Sequence, residues 1–209
     1  MNNVASMNNP RFITFEGIDG AGKSTHIAWF VDTLRRKTEV LLTREPGGTA
    51  LGEKLREMLL NYPMHSETEV ILMFAARLEH VEKVIKPALQ KGIRVVSDRF
   101  SDASFAYQGG GRGVNIDKLK QLEQWVLGDL QPDLTILFDL PVEIAQQRLS
   151  NNLSLDRFER EQSNFFERVR QAYLNRSQQF PQRFVLIDAA QPPNKVKENL
   201  ENIISTYCL

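Results

Sequence analysis

An α/β fold, a five-stranded parallel sheet with helices on both faces, is what this sequence predicts. Three observations predict it. Short β-rich apolar runs alternate with helical periodicity along the chain, the order a parallel sheet requires. The first of those runs ends in a glycine turn that opens a helix. The length, 209 residues, and a hydrophobic content of 42% suit one domain with a sizeable core.

Residues 11–16 read as the first strand and about 22–36 as the first helix. Glu39 to Thr43 is a second β-like run, broken by Arg44-Glu45-Pro46-Gly47-Gly48-Thr49. A helix over about 50–60 carries Leu51, Leu55, Met58 and Leu59 at helical spacing, and Pro63 ends that segment. Ser66 with Glu69 resembles a capping box. The helix behind it reaches about Gln90, with Val70, Phe74, Arg77, Val81, Val84 and Ile85 recurring every three or four residues; Pro87 should distort its end. Ile93 to Ser97 is the third strand. A loop or short helix then carries Ser104 to Gln108, and Gly109 to Gly113 reads as flexible. A helix over about 116–128, a strand from Leu134 to Phe138 and a helix over about 142–150 follow. Asn151 to Leu155 is polar and weakly structured. A helix over about 161–180, a strand from Phe184 to Ile187 and a helix over about 193–206 complete the chain.

Gly17-Ile18-Asp19-Gly20-Ala21-Gly22-Lys23-Ser24, with Thr25 behind it, matches the P-loop spacing between a strand and a helix. Its glycines let successive N–H groups turn toward phosphate oxygens, at the positive end of the following helix. Lys23 would reach the β- and γ-phosphates of a nucleotide, and Ser24 would ligate Mg²⁺. The expectation is a P-loop NTPase fold with a lid segment. Ligands in such sheets bind beyond the carboxyl ends of the strands, where Asp19, Arg44, Asp98 and Arg99 fall. Asp98 is either a second metal-shell acid or a turn aspartate. Arg44, Arg77 and Arg99 are either phosphate forks or surface salt bridges. Asp19 beside a polyphosphate is more comfortable facing a hydroxyl of a second substrate, though a solvated loop position is the alternative. Phe74 and Arg77 stand one helical turn apart. An aromatic face beside a donor-only guanidinium selects thymine or uracil over cytosine, although periodicity alone favours a core position for Phe74. Segment 150–160, with Asp156, Arg157, Glu159 and Arg160, is either a mobile lid over ATP or a charged surface loop.

Lys plus Arg and Asp plus Glu are 26 each, so no global field favours nucleic acid or a membrane. No apolar run approaches a membrane span. A single cysteine, Cys208, has no internal disulfide partner, which fits the cytoplasm. Residues 1–10 read as a disordered N-terminal extension without signal-peptide features, with Met7 as an alternative start, and 11–209 as a single domain. A nucleotide-dependent protein switch is a weaker fit, since Asn194-Lys195-Val196-Lys197 lacks the final acid of the guanine-reading motif.

The chain resembles the thymidylate kinases over about residues 11 to 205. The resemblance rests on the segments Phe15 to Thr25, Thr43 to Thr49, Phe74 to Arg77, Ser97 to Phe100, Ala106 to Gly109, Pro132 to Thr135 and Asp156 to Glu159. It implies a P-loop nucleoside monophosphate kinase that transfers the γ-phosphoryl of ATP to dTMP, giving dTDP for DNA synthesis, with Mg²⁺, as a homodimer. It implies that Phe74 stacks on thymine while Arg77 bonds its O4, and that Arg44 and Arg99 hold the dTMP phosphate. Asp19 meets the 3′-hydroxyl or positions the acceptor, and Ser104, Tyr107 and Gln108 line the pocket, the tyrosine ring disfavouring a 2′-hydroxyl. Lys23 acts in transfer, and Arg148 and the lid cover ATP. Because the P-loop holds no arginine, the lid is implied to supply one, with Arg157 ahead of Arg148 and Arg160. Two departures stand out: Asn151, Asn152 and Ser154 occupy positions where related bacterial lids carry arginines, and Phe100 replaces Tyr or His.

Overall fold

The computed structural model describes residues 9–150 and 156–208. Among these, five strands form one sheet: β1 (Phe12–Glu16), β2 (Val40–Arg44), β3 (Arg94–Asp98), β4 (Leu134–Asp139) and β5 (Phe184–Asp188). Their spatial order is β2-β3-β1-β4-β5, and every pair is parallel. β1 lies at the centre with all of its residues buried. A parallel strand covered on both faces keeps a nearly continuous apolar run instead of alternating, and Phe12-Ile13-Thr14-Phe15 does so with one threonine. The buried Thr14 hydroxyl finds that of Thr135 on β4 at 3.0 Å.

From β1 the chain crosses through α1 (Lys23–Arg35) to the edge strand β2, whereas β4 continues on the other side of β1. Strand order therefore reverses at β1, and the crevice at its carboxyl end is where ligands sit in such sheets. α2 (Ala50–Asn61) and α3 (Ser66–His80) follow β2. α3 runs on through a wide π turn, Val81–Ile85, into α4 (Lys86–Gln90). Pro87 brings no N–H, and its ring crowds the carbonyl four residues back. The distortion expected at this helix's end thus takes the form of a wider turn just upstream.

The glycine run expected to be flexible is helical through Gly111. α5 (Ser101–Ser104) continues into a π-helical stretch, Phe105–Gly111, which packs on α8 (Ser163–Gln179). A Cβ at Gly110 would stand 2.6 Å from the Ala172 Cβ, and one at Gly111 would stand 2.4 Å from the Phe165 ring. These glycines serve close helix packing, not freedom of the chain. Buried Asp102 on α5 anchors the same pair, accepting from Arg176 of α8 at 2.8 Å and from Arg183, just before β5, at 2.6 Å.

α6 (Ile116–Leu127), α7 (Val142–Leu149) and α9 (Pro193–Ile203) complete the helices, and the remaining expected elements are present with ends moved by a residue or two. Asn9 and Pro10, expected in the disordered lead-in, are tied down: the Asn9 N–H donates to the Tyr207 carbonyl at 2.7 Å, and Pro10 is buried. The rest of that lead-in and the weakly structured run 151–155, with Asn151, Asn152 and Ser154, lie outside the described residues. No helix among the described residues is long and apolar enough to cross a membrane.

Candidate active site

The loop from Gly17 to Gly22 leaves β1 pressed against its neighbours. Gly17 has φ +136° and Gly20 φ +81°, and a Cβ on either would fall within 2.5 Å of the Phe138 or Ala145 carbonyl oxygen. Only glycine satisfies both the backbone angle and the space. Ile18 and Ala21 are buried under the loop. α1 starts at Lys23 with no side-chain cap, so its first N–H groups remain available to an anion. The buried Lys23 Nζ folds back onto the loop, donating to the Gly17 and Ile18 carbonyls at 2.9 and 3.1 Å. Burial, with the Arg99 charge adding to it, pushes Lys23 down to about 8 against the pull of Asp98, Asp19 and Glu16.

Ser24 and Thr25 are exposed, and Ser24 lines one cleft together with Asp98 and Thr43. Asp98 Oδ1 is buried there without a hydrogen-bond partner. An unpaired carboxylate oxygen beside a helix-start hydroxyl suits Mg²⁺, which takes one or two protein oxygens and keeps waters and phosphates for the rest. No cluster of three or more metal-binding His, Cys, Asp or Glu side chains exists among the described residues.

A second cleft, with about 550 Å³ of empty space, opens beside the loop. Asp19, Arg77, Arg99, Ser104, Tyr107 and Gln108 all line it, so the topology brings together residues far apart in the chain. Arg99 has φ +69°, a left-handed backbone uncommon outside glycine, and its N–H is held by the Phe15 carbonyl at 2.9 Å. Its guanidinium donates to the Gly17 carbonyl at 2.9 Å, to the Tyr107 hydroxyl at 3.0 Å and to Asp19. The Tyr107 hydroxyl donates in turn to the other Asp19 oxygen at 2.7 Å. Burial would raise the Asp19 carboxyl, but the Arg99 and Lys23 charges and the Tyr107 hydrogen bond outweigh it, and the group lies below its ordinary range.

Arg77 is buried with its guanidinium bonded three ways: Nε to Glu45 at 2.7 Å, Nη1 to Ser104 Oγ at 3.0 Å and Nη2 to the Phe100 carbonyl at 3.0 Å. A guanidinium has five N–H groups, so two remain for a ligand. Gln108 is tied by its amide to buried Glu69 at 2.8 Å.

Four expectations need correction or relocation. Phe74 does not face this cleft. It is 1% exposed, in a core cluster with Phe12, Val70, Val95 and Phe100, and supports the Arg77 guanidinium from 4.7 Å. The wall is Met73, four residues before Arg77, because at about 100° per residue positions four apart on a helix lie closer in angle than positions three apart. Arg44 does not line this cleft either. Side chains alternate along β2, so Arg44 points outward to Glu53 at 2.7 Å while Glu45 points in. Arg157 is occupied away from the P-loop: Nε and Nη2 donate to the Leu59 carbonyl at 3.0 and 2.9 Å, and Nη2 stands 2.7 Å from Glu69. Arg160 lines a neighbouring cavity with Arg112 and Arg168. Arg148, by contrast, leans on the loop, with Nη2 on the Ala189 carbonyl at 3.0 Å and Nη1 3.5 Å from the Gly20 carbonyl.

Met73, Glu45 and Arg56, none of them among the residues expected in the site, also line the cleft. Arg56 shares the inward face of α2 with Gly52, Leu59 and Leu60, a spacing that could have marked it. Burial lowers its pKa, and the fields of Arg44 and Arg99 lower it further, so cations are concentrated here.

The model of the thymidylate kinase family matches residues 15–200. The thymidylate kinase of Cupriavidus metallidurans is 58% identical over 196 residues, covering 94% of this chain and 98% of that protein. That of Nitrosomonas europaea is also 58% identical, over 204 residues, 96% of this chain and 95% of its own length. That of Burkholderia thailandensis is 55% identical over 200 residues, covering 93% and 97%.

Proposed function

The chain belongs to the thymidylate kinase family, and on that premise we propose that it holds ATP on the loop from Gly17 to Lys23 and dTMP in the cleft beside it, for transfer of the γ-phosphoryl group to give dTDP. On the ATP side, the loop amides and the uncapped start of α1 hold the phosphates, and Lys23 leaves the Gly17 and Ile18 carbonyls to meet them. Ser24 and Asp98 would hold Mg²⁺, which draws charge from the phosphate oxygens when bound. On the dTMP side, the two spare N–H groups of Arg77 meet the carbonyl at pyrimidine C4, and Met73 supplies the apolar wall. Arg56 and Arg99, concentrated cations in one cleft, take the 5′-phosphate. Asp19, held ionised by Arg99 and Tyr107, keeps Arg99 aimed.

The acceptor phosphate is already anionic, so no general base is needed. Catalysis is positioning plus neutralisation of charge. Arg148 is the arginine best placed to contribute, because it already lies along the P-loop whereas Arg157 is committed elsewhere. Two further features belong to the proposal. A homodimer is supported by an exposed apolar face, Trp125 and Ile71, shared by α3 and α6. A cytoplasmic location fits one buried cysteine with no disulfide.

The observation that carries the assignment is Arg77, a buried donor-only group in the cleft with N–H groups to spare. Steady-state phosphorylation of dTMP, dUMP, dCMP, dGMP, AMP and thymidine tests it. dTMP should be the best acceptor and dCMP a poor one. Equal use of dCMP would remove the basis for the pyrimidine assignment.

A further inference from the structure

Behind the cleft, Arg77 is the last member of a hydrogen-bonded chain. Glu45, 3% exposed, spends one oxygen on Arg77 Nε at 2.7 Å and the other on His80 Nδ1 at 3.0 Å. His80 is fully buried, and its Nε2 meets the Thr43 hydroxyl at 2.6 Å. Arg77 and Glu45 line the cleft, while His80 and Thr43 do not. Carboxylate oxygens only accept, so Nδ1 carries the ring proton and Nε2 accepts from Thr43. Glu45 thereby sets the tautomer of the neutral ring, since the Thr43 hydroxyl can donate or accept. The loop between β2 and α2 closes over the ring so tightly that a Cβ on Gly48 would stand 2.5 Å from it.

We infer that His80 is a positioning residue for pyrimidine selection, acting through Glu45 to fix the plane of the Arg77 guanidinium. A guanidinium held by a rigid carboxylate presents its spare N–H groups in one direction. With that carboxylate loosened, the group keeps only its bonds to Ser104 and the Phe100 carbonyl and can tilt about them, which weakens its distinction between a C4 carbonyl and a C4 amine. The inference rests on the proposed placement of the pyrimidine beside Arg77.

The test is steady-state kinetics with dTMP and dCMP on full-length protein carrying His80→Leu, His80→Asn or Thr43→Val. His80→Leu leaves Glu45 without its second donor. It should raise KM for dTMP by roughly tenfold or more, the scale of one buried hydrogen bond, with KM for ATP unmoved and the dTMP over dCMP preference reduced. His80→Asn retains an N–H near the Nδ1 position and should recover most of both. Thr43→Val frees the far nitrogen, and because Thr43 also lines the cleft of Ser24 and Asp98 it is read from the dTMP over dCMP preference, which should fall by a few-fold. It decides the matter should His80→Leu fail to fold. A merely structural histidine would lower kcat for both acceptors together and leave the preference intact, and that result overturns the inference. If the unmutated protein shows no preference for dTMP over dCMP, the pyrimidine placement itself fails.

Discussion

Lys23 shows how one residue links burial to chemistry. Its pKa of about 8 reflects a cation taken out of water with the Arg99 charge nearby. Only the charged form attracts phosphate. In the free protein that form is lost as pH rises through 8, so ATP affinity should be level below pH 8 and then fall by up to about tenfold per pH unit. Calorimetric titration at pH 7.5, 8.5 and 9.5 reads this directly, and Lys23→Met should abolish the dependence. An unchanged affinity at pH 9.5 in the unmutated protein would contradict the placement of Lys23. Glu16 carries the opposite sign. Burial first, then Asp102, raise it to about 8 despite Arg99 and the hydrogen bonds from Tyr173 and Phe100. The folded chain therefore binds more protons than the unfolded one between the ordinary carboxyl range and pH 8, and stability falls as pH rises across that window. Urea midpoints at pH 5.5 and 8.5 should differ more for the unmutated protein than for Glu16→Gln. The arginine of transfer is settled by comparing Arg148→Ala with Arg157→Ala in single-turnover reactions at saturating substrates. The first should slow transfer by roughly 10³-fold or more, and the second far less. The reverse order would move the role to Arg157.

Among the elements, the helical stretch ending at Gly111 shows composition yielding to a neighbour. Three glycines in a row suggest a loose connection, yet α8 needs that surface flat. Gly110→Ala should cost about 1–3 kcal/mol through overpacking against Ala172 and the Arg168 carbonyl, measured by urea denaturation. A gain in stability would mean the stretch is as slack as its composition implies. The motif Asp156-Arg157-Phe158-Glu159 is equally local in origin. Asp156 Oδ1 accepts the Phe158 and Glu159 N–H groups at 2.8 and 2.9 Å, and Glu159 returns a bond to the Asp156 N–H at 2.9 Å. This reciprocal cap sets the turn that sends Arg157 to Leu59 and Glu69. The motif is visible in the chain, but the destination of its arginine depends on α2 and α3.

For the whole molecule, α3 and α6 leave Trp125 at 79% and Ile71 at 60% exposure beside one another, two large apolar side chains bare in one place. If this face joins the proposed homodimer, the unmutated protein should sediment as a dimer and Trp125→Glu as monomers in sedimentation equilibrium. A monomeric unmutated protein would remove the need for the interface. The phosphate loop, the parallel sheet and the strand-end position of Asp98 and Arg99 were legible from residue order, since glycine spacing and apolar period act over a few residues of backbone. Which face each side chain presents was not. Met73 rather than Phe74 faces the cleft, and Glu45 rather than Arg44 turns inward, because a helix rotates about 100° per residue and a strand reverses at every step. A shift of one position is nearly invisible in a periodic pattern, yet it exchanges cleft for core. Packing of α3 between the cleft and the Phe12 cluster, and pairing of β2 with β3, supply the missing constraint.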